Sequence, residues 1–400
     1  MNQTLLCRQP IHDQDLRVFG YELLHRQFGG NGQTEFDGEF ATESVLAKAF
    51  SEIGLDHLVG PKKAFINLTE RWILSDHCLT LPKGQAVFEI LEDVPPSKDV
   101  VGALRKLHEQ GRTIALDDFV FDDSKIPLLE IADIVKLEVL HQNPESIKRQ
   151  MDLIAPYKVK FLAEKVETHE VFEWTKSLGF DFFQGYFFLQ PKVNQDKILP
   201  LNQLAIISLL SKLQDPNIDI DDLDAIIKQD LALSSKILKY VNSAHFSLPK
   251  KVDSIPLAAR MVGMENIKTW TILLKLLKVP NKSFELIFTG IVRGMMCEQL
   301  GVAMKVPDPE PYFTIGLYSV MDALFDLPMT AFTKELPLSE EAIQALIDHQ
   351  GMMGATLRCV LSYERGDWEG INVLFLEPEV IQQAYFDALS WSSNLWTLLE

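Results

Sequence analysis

Residues Thr113–Phe119 read TIALDDF, and the reading of this stretch decides the fold. Four apolar or β-branched residues run directly into two adjacent acids, Asp117 and Asp118. A short apolar run bounded by turn signals predicts a strand buried on both faces. Two like charges at the end of such a strand cost energy unless something positive lies between them. A pair of acids alone is ordinarily a helix N-cap beside a solvated neighbour. What argues otherwise is that the same grammar recurs along the first half of the chain.

Upstream, residues 18–26, VFGYELLHR, place Glu22 and Arg26 four residues apart, the spacing of a helical surface ion pair. AFINLTE follows, with Asn67 after Ala64–Ile66, and AVFEILED carries Glu89 and Glu92. Downstream, ADIVKLEVL puts Lys136 and Glu138 on one strand face by period two. KFLAEKVE supplies Glu164 and Glu167, and FDFFQGYFF supplies Gln184 before a glycine. Between these strands, Val45–Ile53 with Leu58, Val100–Glu109, Ile147–Ile154 and Val171–Leu178 have helical periodicity. Strand, polar residue, helix, repeated, is an α/β pattern. No glycine-rich phosphate loop follows the first strand, so a (β/α) barrel fits better than an open sheet. In such barrels the C-terminal ends of the strands line the active site.

The residue types indicate the chemistry. The cluster is rich in oxygen donors and lacks Cys and His, which suits hard cations, Mg²⁺ or Mn²⁺, rather than Zn²⁺. Adjacent carboxylates can flank two ions, and a two-metal site suits phosphodiester hydrolysis. Lys136 would hold the attacking water or offset developing charge. A glycosidase needs two carboxylates but no Lys-Asn-Gln set, so that reading is weaker.

Over about residues 5–195 the motifs resemble those of the bacterial EAL family of cyclic-di-GMP phosphodiesterases. Arg8–Ile11, RQPI, resembles the family's opening QPI, and Glu22-Leu23-Leu24-His25-Arg26 stands where E-A-L-x-R lies. Asn67 matches the metal-binding Asn, Glu89–Glu92 resembles E-L-T-E, and Asp117-Asp118-Phe119 matches D-D-F. Lys136 matches the Lys of K-x-D, with Glu138 in place of its Asp. Ala163–Glu167 resembles A-E-G-V-E with Lys165 for Gly, and Gln184-Gly185-Tyr186 matches Q-G-Y. The resemblance implies a modified (β/α)₈ TIM-like barrel. It implies two Mg²⁺ or Mn²⁺ ions on Glu22, Asn67, Glu89, Asp117, Asp118 and Glu164. Lys136, Glu164 and Gln184 would be catalytic, Gln9 and Arg26 would contact cyclic-di-GMP, and Glu92 would anchor the loop after D-D-F. That loop, G-T-G-Y-S-S in the family, here reads Val120-Phe121-Asp122-Asp123-Ser124-Lys125, without its glycines. Val120 and Phe121 are expected to pack on the second domain, a second subunit or the barrel itself.

The pattern changes around Pro191–Pro200, which sets expected domains at 1–198 and 199–400, with a barrel that survives truncation near residue 198. The second half is helical, with apolar residues at a period of 3.6. Asp230–Phe246 and Ile255–Trp270 resemble stretches of HDOD domains, relatives of HD-type metal phosphohydrolases. Gly316–Val320, GLYSV, replaces the relatives' G-L-L-H-D, and Ser319-Val320 cannot chelate a metal. The resemblance implies a regulatory domain that binds protein partners, and a homodimer is compatible with it. Two functions follow as expectations: hydrolysis of cyclic-di-GMP to linear pGpG, or an inactive barrel that serves as receptor or scaffold with output through the HDOD half.

Composition agrees with a chain of two or three globular domains: 400 residues, 47% hydrophobic and 24% charged. A net charge of −18 without a basic tail or patch argues against direct nucleic-acid binding. Cys7, Cys78, Cys297 and Cys359 form no CxxC and read as buried thiols of a reducing compartment. MNQTLLCRQP lacks signal-peptide character, and no long apolar run is evident, so no membrane and a cytoplasmic location are expected.

Overall fold

A computed structural model of the chain describes residues 3–28, 54–192, 199–215, 217–243, 246 and 250–399. Eight strands close into a barrel in sequential order. They are β1 (Gln3–Asp13), β2 (Val18–Phe28), β3 (Lys63–Leu68), β4 (Ala86–Ile90), β5 (Thr113–Leu116), β6 (Ile134–Glu138), β7 (Lys160–Glu164) and β8 (Phe182–Gln184). β1 runs antiparallel to both β2 and β8, and every other neighbouring pair is parallel. This is the modified TIM-like barrel expected from the motifs. VFGYELLHR is a strand, so the four-residue spacing of Glu22 and Arg26 is not a helical pair.

Three of the four expected helices form. Lys98–Glu109, Pro144–Ile154 and His169–Leu178 start at Ser97, Asn143 and Thr168, whose side chains accept the backbone N–H of Val100, Ser146 and Val171. Such caps satisfy donors that a helix start otherwise leaves bare. The fourth, Val45–Ile53, lies outside the described residues.

The barrel interior is layered. Ile11, Phe65, Val87, Ala115, Ile134, Leu162 and Phe182 form one buried cluster, with Phe19 of β2 packed against it. Gly20 belongs to the same level, since a Cβ there would meet the Lys63 carbonyl at 2.8 Å and the Phe65 ring at 3.0 Å. By the two-residue period of a strand, the next inward position on β3, β4 and β6–β8 is Asn67, Glu89, Lys136, Glu164 and Gln184. On β5 it is Asp117, just past the strand end, and on antiparallel β1 it is Gln9. An apolar plug thus carries a polar layer on its C-terminal side.

The chain forms two compact units, Met1–Gln190 with Cys359–Phe386, and Pro191–Arg358 with Asp387–Glu400. The first division falls near the expected boundary at 198, but residues 359–386, expected in the second domain, pack with the barrel. The reason lies at the edge of β1. Strand β8 spans three residues and reaches only Ile11–Asp13 of β1, so the edge of β1 further back needs another partner. The Tyr363 hydroxyl donates to the Leu6 carbonyl at 2.8 Å, and the Tyr385 hydroxyl accepts the Arg8 N–H at 3.3 Å. Tyr186, just after β8, donates to the Glu364 carbonyl at 3.0 Å, and the Arg365 guanidinium lies over its ring. Where a (β/α)₈ barrel would place its last helix, β8 is followed by the short turn Tyr186–Leu189.

The second unit is helical. Its central helix, Phe284–Ala303, packs along Glu310–Tyr318, where Gly316 meets the Arg293 backbone too closely to admit a side chain. Phe284–Ala303 is also long and apolar enough to cross a membrane, against the expectation that no such run exists. Most of it is buried inside the unit, as a core helix would be. The Ser319 hydroxyl accepts from Arg293 and donates to the Gly316 carbonyl, which spends it on packing. All four cysteines are buried free thiols.

Candidate active site

The polar layer is organised around one cation. The Lys136 ammonium, fully buried, lies 2.6 Å from Asp117 Oδ1, 2.8 Å from Glu89 Oε1, 2.9 Å from Glu164 Oε1 and 3.2 Å from Glu22 Oε2. Gln184 Nε2 donates to Glu22 Oε2 and to Gln9 Oε1, both at 2.7 Å. Asn67 Nδ2 donates to Glu22 Oε1 at 3.2 Å. Strands β1, β2, β3, β4, β6, β7 and β8 and the turn after β5 thus each contribute one side chain. The site is the rim of the whole barrel rather than one loop.

Four carboxylates share one ammonium, and the excess negative charge appears in their proton affinities. Burial pushes Glu164 up to about 8, against the pull of Lys136. Burial and the neighbouring Glu22 hold Glu89 well above the carboxylate range. Burial, with Glu22 and Asp118 nearby, also raises Asp117. Glu22 goes the other way. Burial alone would raise it, but the Lys136 charge and hydrogen bonds from Gln184, Lys136 and Asn67 outweigh that. Lys136 is held protonated because the four carboxylates outweigh its burial.

Five of the six residues assigned to metal binding therefore meet in one layer, with Gln9 and Gln184 beside them. Asp118 does not join the Lys136 cluster. It stands next to Asp117 at φ 38°, a left-handed conformation that an aspartate tolerates better than most residues. Glu92 sits on an exposed turn past β4. Arg26 is on β2 opposite Leu5, and its side chain lies outside the described residues. In the loop after Phe119, Val120 is 62% exposed and Phe121 half-buried. The Asp122 side chain accepts the Ser124 N–H at 2.8 Å and starts a short turn at Asp123–Lys125. The Lys125 ammonium lies over the buried Phe119 ring. This loop is shaped by its own contacts rather than by glycines.

One pairing at the rim was not foreseen. Glu138, at the end of β6, forms an ion pair with Lys165, the residue after β7. These are two positions at which the chain departs from the EAL motifs. Lys165 holds φ 57°, a conformation that costs a side chain about 1 kcal/mol and glycine nothing.

Residues 2–191 match the family model of the EAL domain and residues 199–331 that of the HDOD domain. YuxH of Bacillus subtilis is 31% identical over 404 residues, covering 98% of this chain and 99% of that protein. The chain is an EAL–HDOD protein. A second relative, the cyclic di-GMP phosphodiesterase CdgJ of Vibrio cholerae, is 29% identical over 410 residues and spans 100% of the EAL–HDOD chain and 94% of its own. Among solved structures, an EAL domain from Listeria monocytogenes is 24% identical over 46% of this chain and 87% of its own, with a TM-score of 0.38.

Proposed function

We propose that the EAL barrel is a divalent-metal-dependent phosphodiesterase that hydrolyses cyclic-di-GMP to linear pGpG, with the HDOD half as a regulatory module for protein partners. The observation that carries this reading is the convergence of Glu22, Glu89, Asp117 and Glu164 on Lys136, with Asn67 hydrogen-bonded to Glu22, in one layer at the C-terminal end of the barrel. The donor set suits Mg²⁺ or Mn²⁺: it is all oxygen and anionic. Glu89 Oε2 and Glu164 Oε2 are buried and take no hydrogen bond from the protein. Bound there, two such ions would activate water and neutralise charge on the phosphate. Lys136 then orients the water and offsets charge on the scissile phosphate. Glu164 and Glu89, freed of their protons by the ions, would hold those ions against the reacting phosphate. Gln184 fixes Glu22 and reaches Gln9, which faces the substrate.

One observation favours the second reading, a receptor or scaffold that binds without cleaving. Among the described residues, no three carboxylates are grouped around a common ion position, because four of them turn onto the Lys136 ammonium. The two readings separate on metal binding. Burial raises the proton affinity of Glu89 and Glu164, to about 8 for Glu164, so a cation that takes their oxygens competes with protons. Mn²⁺ affinity, measured by calorimetry, is therefore expected to rise as pH increases through about 8. Undetectable Mn²⁺ binding across that range would remove the hydrolytic reading.

A further inference from the structure

The Glu138–Lys165 pair stands at the C-terminal ends of β6 and β7, on the side of the barrel that carries the polar layer. Glu138 shares its strand face with Lys136, one position nearer the mouth, and its backbone pairs with Glu164. Lys165 follows Glu164 directly, and its side chain is 48% exposed. Its ammonium has Glu138 as a direct partner and feels the charges of Asp118 and Glu164. Behind it lie four carboxylates balanced by one lysine. A ligand bearing two phosphodiester charges is attracted by a second ammonium at the rim, whether or not ions offset the carboxylates behind it.

We propose that Lys165, held over the mouth by Glu138, binds a phosphate of the incoming cyclic dinucleotide and sets the affinity of the site for anionic ligands. The inference rests on the cyclic-dinucleotide reading above, and holds whether or not the bound ligand is cleaved. An ammonium has three donors, and Glu138 engages it from one side. At a half-exposed rim an ion pair adds little to stability, and the left-handed backbone at Lys165 favours glycine. Stability and binding should therefore respond to the same substitution in opposite directions.

The test uses the full chain, cyclic-di-GMP as the probe and Ca²⁺ as the divalent ion, which prefers more ligands at longer distances than Mg²⁺ and is expected to support binding with little turnover. Lys165→Gly is expected to weaken dinucleotide binding by about three- to tenfold, less so at high salt. Its melting temperature should equal or exceed that of the wild type by about 1–3 °C. Lys165→Arg should bind as the wild type does. Glu138→Gln should bind within about twofold of the wild type or more tightly, since it retains a hydrogen-bond acceptor and removes a competing charge. Wild-type affinity in a folded Lys165→Gly variant would overturn the proposal. So would equal losses in Lys165→Gly and Glu138→Gln, which would mean that the pair only shapes the rim. If the wild type itself binds no dinucleotide, the cyclic-dinucleotide reading fails first and this inference with it.

Discussion

Replacing Lys136 by methionine is expected to destabilise the metal-free chain by about 3–5 kcal/mol, the usual cost of stranding a buried charge by removing its partner. Here one ammonium is in contact with four carboxylates, so its loss leaves them facing one another without a counter-ion. Methionine fills similar volume, which keeps the cavity contribution small. Thermal melts in EDTA should show the loss, and millimolar Mn²⁺ should recover part of it, because ions bound to the native state supply the missing charge. Turnover should fall by about 10² or more even in the recovered protein, since the lysine's catalytic role lies in the transition state. A melting temperature unchanged in EDTA would contradict the electrostatic account of this site.

Truncation has the second large effect. A chain ending near residue 198 is expected to fail to form a cooperative barrel, contrary to what the motif boundaries alone suggest. Residues 359–386 bury Tyr363, Trp368, Ile371, Ile381 and Tyr385 in the barrel unit. Removing them forfeits about 2 kcal/mol of apolar burial for each large residue. It also strips the Leu6 carbonyl and Arg8 N–H of their tyrosine partners, at about 1–3 kcal/mol each if they stay buried. That total is comparable with the whole stability of an ordinary domain, about 5–15 kcal/mol. Circular dichroism of the truncated chain, compared with the double variant Tyr363→Phe/Tyr385→Phe, separates loss of the segment from loss of its two hydrogen bonds. A truncated chain that melts cooperatively at the full-length temperature would show that the segment is dispensable.

Much of the barrel was legible because a strand's period of two writes the site into the sequence. Each of the pairs Phe65/Asn67, Val87/Glu89, Ala115/Asp117, Ile134/Lys136, Leu162/Glu164 and Phe182/Gln184 places a polar residue two positions after a core residue. Once the run of strands is recognised, convergence of the polar set follows from closure of the sheet. Glu22 and Arg26 show the limit of spacing alone, since a four-residue interval means a shared face on a helix but also occurs on a strand. The place of residues 359–386 was not legible, because an amphipathic helix presents the same pattern whichever core it covers. A signal did exist: no helical pattern follows β8 before Pro191, although a barrel needs its last strands covered. The Glu138–Lys165 pair was visible as two separate departures from family motifs, but their contact requires the adjacency of β6 and β7.

The central claim, that this barrel cleaves cyclic-di-GMP with divalent metal, is most directly tested by incubating the full chain with cyclic-di-GMP and Mn²⁺ and separating the nucleotides by chromatography. The account predicts linear pGpG that accumulates with time, vanishes in EDTA and is lost in Glu22→Gln. Tight dinucleotide binding with no product at any Mn²⁺ or Mg²⁺ concentration would contradict it.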